Sequence, residues 1–419
     1  MNSTALRNRL VGAIGNFLEH YDNALFGLLA PFIAPLFFVD TDPFTALILT
    51  YGMLPLGFFT RPLGSLFFGR IGDRFGRRQA LFYSLLGMAL VSMGMGSIPV
   101  YEEIGICAPL LLAIGRMLQA FFAAGESVGG AIFVLEHTPV LKRGLFSSFY
   151  DISSIGGILV ASGLVTWMSG QGLVAENWRI LFWMGGITAL PGLILRLMAE
   201  DTTEFTLQPT AKSVGWVQTL IEHRRTLLSI ILASGFSYTT YYLGFTLMNG
   251  YIPLITTISK TRVMEVNTLL LVVDMLLLPC FGYLSYKFGK ERMMFLGAVC
   301  SVLGAVPLFL LLENASIIHV IIIRLAIIIP GIAFAAPYYA WSMEKVPPPH
   351  RYLIVSFGTT LGSQLIGASS SPICLWLYRT MEWSGAPGLY LMMIGIAACW
   401  ATYPFPKSLF AKSELLNPR

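Results

Sequence analysis

Long apolar runs separated by short polar connections make up most of the chain between residues 10 and 405. Crossing the hydrocarbon core of a bilayer, ~30 Å thick, takes ~20 residues of α-helix. A membrane β-barrel would instead show segments of about ten residues with alternating polarity. The runs therefore predict membrane-spanning helices. They cover residues 10–36, 45–69, 79–99, 108–134, 145–169, 178–199, 226–250, 264–286, 293–312, 317–340, 354–377 and 387–405.

The segment 200–225 contains charges and Pro209 but no spanning run, and it separates six predicted helices in 1–199 from six in 226–419. A shift of 213 residues places "GRIGDRFGR" (69–77) on "GYLSYKFGK" (282–290). The two sets of six helices and the repeats between them predict an all-α membrane protein, with twelve transmembrane helices in two pseudo-symmetric six-helix bundles. Such halves commonly move by alternating access around a site near the bilayer midplane. A shift of 208 residues places Arg116, Glu136, Pro139, Arg143, Ser148 and Phe149 on Arg324, Glu344, Pro347, Arg351, Ser356 and Phe357.

Composition agrees with a membrane location, because 55% of the residues are hydrophobic and only 12% are charged. Nineteen of the 27 Lys and Arg residues fall in the two termini and in the connections on the same predicted side; four fall on the opposite side. Positive charge concentrates on the cytoplasmic side of membrane proteins. We therefore expect a multi-pass protein of the plasma (bacterial inner) membrane with both termini in the cytoplasm. The net charge of +5 reflects this topology and does not indicate a nucleic-acid partner.

The connection between the second and third predicted helices, "GRIGDRFGRR" (69–78), holds five charges in ten positions. Glycines there allow a tight turn and close packing, and Asp73 can cap a helix N-terminus. The arginines can reach carboxylates such as Glu136. A solvated cytoplasmic loop would explain the arginines alone, but not this order of glycine, aspartate and arginine.

That order matches the signature between helices two and three of the major facilitator superfamily. Three longer stretches look like its metabolite:proton symporter family: "GNFLEHYDNALFG" (15–27), "RPLGSLFFGRIGDRFGRRQAL" (61–81) and "APLLLAIGRMLQAFFAAGESVGGA" (108–131). Members of that family transport proline/betaine, α-ketoglutarate, citrate or shikimate. The resemblance implies a latch that holds the two halves together when the cavity faces outward. The latch candidates are Gly69, Gly72, Asp73, Arg74, Gly76, Arg77, Arg78, Glu136 and Arg143.

The chain departs from the family pattern at His20, where Trp is usual, at Asn23, where an aromatic residue is usual, and at Ala120, where Gly is common. In the second half Tyr286 occupies the position of Asp73, so only the first half keeps the acid of the latch.

Ionisable residues within spans are costly and indicate function. Glu19 and Asp22 share one face of the first helix, and Arg116 and Gln119 share one face of the fourth. At ~1.5 Å per residue, Asp22 and Arg116 lie at similar depths in oppositely directed helices, so we expect them to meet near the midplane. One hypothesis is a static ion pair that fixes the two helices. The other is that Arg116 holds a substrate carboxylate while Asp22 or Glu19 exchanges a proton.

Arg324 repeats the position of Arg116 in the second half, and two arginines facing one cavity could clamp two carboxylates. For Arg61, Glu126 and Asp151, nearer the cytoplasm, we favour a gating or structural role. Tyrosines in helices seven and ten could hold an ammonium group by cation–π contact. The predicted substrate-binding residues are Arg116, Gln119, Tyr21, Tyr241, Tyr242, Arg324 and Tyr338.

No enzyme signature accompanies these features. The five cysteines are scattered without CxxC spacing, and the sequence contains no nucleotide loop and no HExxH metal motif. We therefore expect no catalytic activity, cofactor or metal. The expected partners are a small substrate, a proton and the lipid bilayer, with the protein working as a monomer.

The favoured function is proton-coupled symport of a small zwitterionic or carboxylate metabolite of the proline/betaine kind. Symport of di- or tricarboxylates such as α-ketoglutarate or citrate is the alternative. Drug:proton antiport is less favoured because residues 145–169 lack the proline usual in helix five of such antiporters. A membrane sensor is also less favoured, because no soluble sensor domain is recognisable.

Overall fold

A computed structural model describes residues 3–75, 77–126, 131, 135, 140–198, 216–347 and 351–403; the side chains of 3–13, 72–75, 77 and 78 and of a few other positions are not part of the description. Helices make up nearly all of these residues, and no strand occurs among them. We number the twelve long helical segments α1 to α12. Short helices Tyr101–Ile104 and Trp216–Glu222 lie between them.

The first half contains α1 (Ser3–Phe37), α2 (Pro43–Gly52, Leu54–Leu56 and Gly57–Phe75), α3 (Arg77–Gly96), α4 (Cys107–Ala123), α5 (Arg143–Gly170) and α6 (Val174–Met198). The second half contains α7 (Arg224–Tyr241, Tyr242–Leu247 and Met248–Ile255), α8 (Lys260–Phe288), α9 (Lys290–Leu310), α10 (Ile317–Ala335 and Tyr338–Glu344), α11 (Arg351–Leu361, Gly362–Ala368 and Ser370–Met381) and α12 (Ala386–Thr402). Each predicted run overlaps one of these segments, so the predicted all-helical fold is confirmed.

Six of the described helical stretches are long and apolar enough to cross a membrane by length and composition alone, and they lie in α2, α3, α5, α8, α9 and α10. The segments α4 and α12 are apolar but shorter in the described residues. Several other segments carry charges, such as Glu19 and Asp22 in α1 and Arg196 in α6, and two are interrupted.

The interruptions are two π-helical turns, Tyr242–Leu247 in α7 and Gly362–Ala368 in α11. A π-helical turn widens the helix, frees a carbonyl from its usual partner and is frequent at functional sites. In α11 the Ile366 carbonyl oxygen accepts a hydrogen bond from the Tyr390 hydroxyl at 2.8 Å. Both turns therefore present backbone groups to other helices.

Small residues let the helices approach closely, as is common in membranes. A Cβ added at Gly157 of α5 would overlap the Phe17 carbonyl oxygen of α1. Hydroxyl groups join α5 to α8 across the two halves: Ser162 to Thr268 at 2.8 Å, and Thr166 to the Met264 carbonyl oxygen at 3.1 Å. The α5–α8 contact is a main seam between the halves.

The halves also meet where α1 turns into α2, which we call the Asp42 end and which the sequence predicts to be extracellular. Asp42 caps α2 by accepting hydrogen bonds from the Phe44 and Thr45 backbone N–H groups, both at 3.1 Å. Arg379 of α11 lies 3.4 Å from the Asp42 carboxylate, and the Lys260 ammonium donates to the Pro31 carbonyl oxygen at 2.8 Å. Hydrogen bonds from Thr45 keep the pKa of Asp42 below its usual range.

Candidate functional site

A cavity of about 190 Å³ lies between the two halves. Its wall is built by α1, α2, α4 and α5 of the first half and by α7, α8, α10 and α11 of the second. The acidic and basic side chains that line it, apart from His20, are Glu19, Arg61, Arg116, Asp151 and Asp274. Enclosed by both halves, this cavity is the candidate substrate site.

Arg116 and Asp22 do not pair directly among the described residues; Gln119 lies between them. The Arg116 guanidinium donates to the Gln119 side-chain oxygen, and the Gln119 amide nitrogen donates to the Asp22 carboxylate at 2.6 Å. The Ser92 hydroxyl also donates to Asp22. The expected meeting of Arg116 with Asp22 is thus replaced by a three-residue chain, because Gln119 reaches α1 from one turn along the same face of α4.

Only the Arg116 end of this hydrogen-bonded series of three residues reaches the cavity. Arg116 lines it, with its guanidinium 4.7 Å from the centre of the Phe26 ring, whereas Gln119 and Asp22 are buried behind the wall. An arginine can only donate hydrogen bonds and a carboxylate can only accept them. The Gln119 amide therefore has its oxygen towards Arg116 and its nitrogen towards Asp22.

Glu19 and Arg61 form a salt bridge of 2.9 Å on the wall of the cavity. Of the three residues predicted nearer the cytoplasm, Arg61 and Asp151 line the cavity, whereas Glu126 does not. Glu126 instead binds Arg196 of α6 through two contacts of 2.5 Å, and both side chains are buried. Arg196 was not among the predicted site residues, although its position inside a predicted span marked it as a candidate.

Three of the four predicted tyrosines line the cavity: Tyr241, Tyr242 and Tyr338. The Tyr338 hydroxyl shares a hydrogen bond of 2.7 Å with Thr359. Tyr21 is not part of the wall, because its hydroxyl donates to the Leu181 carbonyl oxygen of α6 at 3.2 Å.

Arg324 also lies outside the cavity wall, fully buried between α7, α8 and α10. Its guanidinium donates to the Gly244 carbonyl oxygen at 2.8 and 3.2 Å and to the Asn267 side-chain oxygen at 2.5 Å. The freed carbonyl of the π-helical turn in α7 thus receives the arginine. The geometry removes Arg324 as a second clamp for a carboxylate in this cavity.

The latch is only partly covered by the structure. Arg143 at the start of α5 donates to the Leu135 carbonyl oxygen at 3.1 Å. The other latch candidates lie outside the described residues or have side chains outside the description: Gly69, Gly72, Asp73, Arg74, Gly76, Arg77, Arg78 and Glu136.

The fold matches solved structures of proton-coupled sugar transporters. A D-xylose–proton symporter superimposes with a TM-score of 0.76 at 17% identity, covering 96% of this chain and 98% of that one. The major facilitator superfamily proton:xylose symporter XylE, bound to 6-bromo-6-deoxy-D-glucose, gives a TM-score of 0.70 at 17% identity, with 96% of each chain covered. At such low identity the likeness concerns the fold.

The sequence also matches a transporter family and individual transporters. Residues 9–214 match the family described as "Sugar (and other) transporter". The glycine betaine/proline/ectoine/pipecolic acid transporter OusA of Dickeya dadantii is 29% identical over 401 residues, which is 92% of this chain and 80% of OusA. The fold is that of the major facilitator superfamily. The proline/betaine transporter of Escherichia coli is likewise 29% identical, over 410 residues, 93% of this chain and 81% of that protein.

The relatives and the fold make this chain a multi-pass membrane transporter and not an enzyme. No group of three or more His, Cys, Asp or Glu side chains in the described part of the chain could hold a metal ion.

The second half of the chain has a polar contact near the counterpart of the 69–78 loop. Lys290, at the start of α9, lies 3.0 Å from Glu344 at the end of α10, and Lys345 lies 3.6 Å from Glu291. The sequence shows the loss of the acid at Tyr286, and its two shifts place Arg77 on Lys290 and Glu136 on Glu344. The second pair, Lys345–Glu291, was not predicted.

Proposed function

We propose that this transporter carries a small zwitterion of the proline/betaine kind together with a proton, by alternating access. The two sequence relatives named above, a glycine betaine/proline/ectoine/pipecolic acid transporter and a proline/betaine transporter, support the substrate class. The superimposed structures, which are named proton symporters, support the coupling ion.

One observation carries the choice of substrate: among the residues that the structure describes, Arg116 is the cavity arginine that contacts no acid directly. The guanidinium of Arg61 binds Glu19, and Arg324 lies outside the wall. A guanidinium fork matches a carboxylate with two parallel hydrogen bonds. One such fork fits a substrate with a single carboxylate better than a di- or tricarboxylate.

The chain Arg116–Gln119–Asp22 supports a coupling mechanism. While Asp22 is ionised, Gln119 donates to it and accepts from Arg116. A protonated Asp22 has a hydrogen to donate, and the acceptor it meets after rotation of the amide is the Gln119 oxygen. The amide N–H groups would then face the Arg116 guanidinium. Because both groups only donate hydrogen bonds, their contact is lost, and the guanidinium becomes available to a substrate carboxylate. Proton and substrate would load together.

Further features belong to the same proposal. The protein lies in a bacterial inner membrane with both termini in the cytoplasm, it works as a monomer, and the 69–78 loop latches the halves when the cavity faces outward.

Symport of di- or tricarboxylates such as α-ketoglutarate or citrate is the second candidate function. Arg61 also lines the cavity, and a second substrate carboxylate could compete with Glu19 for the Arg61 guanidinium.

The test is uptake of labelled proline and glycine betaine into proteoliposomes with an imposed proton gradient. We expect accumulation that collapses when a protonophore removes the gradient, and competition by each zwitterion against the other. Strong inhibition by α-ketoglutarate or citrate, with none by proline or glycine betaine, would reverse the choice of substrate. Uptake that follows a sodium gradient instead would reverse the choice of ion.

A further inference from the structure

Two acids of the cavity have no partner among the described residues. Asp151 of α5 and Asp274 of α8 both line the wall, and neither makes a hydrogen bond or an ion pair within the described part of the chain. Asp274 is only 4% exposed. The other acids near the cavity are all engaged: Glu19 by Arg61, Asp22 by Ser92 and Gln119, and Glu126 by Arg196.

Among the described residues, the charges around the cavity therefore do not balance. Arg61 offsets Glu19, Arg196 offsets Glu126, and Arg116 offsets Asp22 through Gln119. Arg324 of α10 binds Asn267 of α8, and Asn267 lies about 10 Å before Asp274 along the helix at ~1.5 Å per residue. Burying an ionised carboxylate without a partner is costly, so Asp274 and Asp151 favour a positively charged occupant.

The surroundings of these acids indicate what kind of cation fits. Tyr238, Tyr241, Phe245 and Tyr339 line the same cavity, and the rings of Tyr241 and Phe245 lie 5.0 Å apart. Asp274 is near enough to Tyr241 and Asp151 for its charge to act on both. Aromatic faces attract alkylated ammonium groups, whereas small metal cations prefer several oxygen ligands.

We propose that Asp274, with Asp151 beside it, binds the ammonium group of the substrate while Arg116 binds its carboxylate. This rests on the proposed function and deepens it: the substrate is a zwitterion whose anionic end is held by the first half and whose cationic end is held by α8 of the second half. A dicarboxylate would place a second negative charge against Asp274.

The first experiment uses the wild-type protein in proteoliposomes without a proton gradient. Exchange of labelled glycine betaine is inhibited with glycine betaine or with 3,3-dimethylbutyrate, in which carbon replaces the nitrogen. We expect the uncharged isostere to need at least a ~tenfold higher concentration, because removing one partner of a buried charge contact is expensive. Equal inhibition by both compounds would overturn the proposal. Absence of any proline or glycine betaine exchange would instead count against the proposed function.

The second experiment repeats the competition with Asp274→Asn, with Asp40→Asn as the control on an exposed carboxylate outside the cavity. We expect weaker glycine betaine binding and a preference over the isostere that falls below ~threefold, while Asp40→Asn keeps the wild-type preference. A wild-type preference in Asp274→Asn would overturn the proposal. So would normal exchange with loss of gradient-driven accumulation alone, since that would make Asp274 a proton carrier. If Asp274→Asn does not fold, Asp274→Glu, which keeps the charge, must keep the preference.

Discussion

Arg324 of α10 donates two hydrogen bonds to the Gly244 carbonyl oxygen inside the π-helical turn of α7. That carbonyl is available because a π-helical turn changes the backbone pairing of the helix. Tyr241 and Tyr242, at the start of the same turn, face the cavity. The arginine thus supports a section of the cavity wall that it does not itself reach.

Arg324→Lys keeps the charge but removes the fork that binds Gly244 and Asn267 together. We expect a loss of about 1–3 kcal/mol in stability, from buried acceptors left without a donor, and slower substrate exchange. Thermal unfolding of the purified protein and exchange in proteoliposomes measure the two effects. Arg262→Lys, on an exposed arginine, is the control and should change neither. An Arg324→Lys protein with wild-type stability and exchange would contradict the supporting role.

Asp22→Asn mimics the protonated carboxyl group of Asp22, which Gln119 connects to Arg116 by hydrogen bonds. We expect exchange of substrate to persist and accumulation driven by a proton gradient to be lost, because the side chain can no longer change its charge. Counterflow and gradient-driven uptake, measured side by side, separate the two activities. Asp40→Asn should retain both. Full accumulation by Asp22→Asn would move the coupling role to Glu19 or Glu126.

Gln119→Leu tests the amide between the two charged groups. The apolar side chain can neither accept from Arg116 nor donate to Asp22, so we expect coupling to fail as in Asp22→Asn, with stability also reduced by about 1–3 kcal/mol. The ratio of substrate accumulation to substrate exchange reports the coupling. Tight coupling in Gln119→Leu would show that Asp22 and Arg116 communicate by another route.

Depth and rotation explain what the sequence could predict of the site. The apolar runs located the helices, and counting residues placed Asp22 and Arg116 at similar depths. Rotation about each helix axis was less accessible: Arg324 matches Arg116 in the repeat, yet it faces the π-helical turn of α7 rather than the cavity. The local sequence does not predict that π-helical turn. Asp274 lies in a plain apolar run, so its place on the cavity wall required the packing of α8 against α5.

Glu126 and Arg196 form a buried two-contact ion pair between the end of α4 and α6. Glu126→Gln leaves the Arg196 charge buried without its counter-ion, and we expect a loss of about 3–5 kcal/mol in stability. The double variant Glu126→Gln/Arg196→Met should recover part of that loss, because the unpaired charge is removed. Thermal unfolding of the single and double variants measures the coupling. Additive losses would contradict it.

The Lys290–Glu344 pair is more exposed, so its expected contribution is smaller. We expect Glu344→Gln to cost about 0.2–1 kcal/mol at low salt and less at high salt, since surface ion pairs are screened. Swapping the charges, Lys290→Glu with Glu344→Lys, should restore most of the loss. A double-mutant cycle at two salt concentrations makes the measurement; a salt-independent result would exclude an electrostatic origin.

Gly157 lies where α5 packs closely against α1, and the same helix offers a matched control. A Cβ at Gly157 would overlap the Phe17 backbone carbonyl, whereas one at Gly163 would meet no atom within 4 Å. We expect Gly157→Ala to lower stability by about 1–3 kcal/mol or more, because backbone atoms cannot rotate away from the added methyl group. Gly163→Ala should be neutral or stabilising by up to ~1 kcal/mol, since alanine favours the helix. Thermal unfolding of both variants provides the comparison. Equal stability in the two would mean that α1 and α5 can separate without cost, which would contradict the close packing that places Glu19 and Asp151 on one cavity wall.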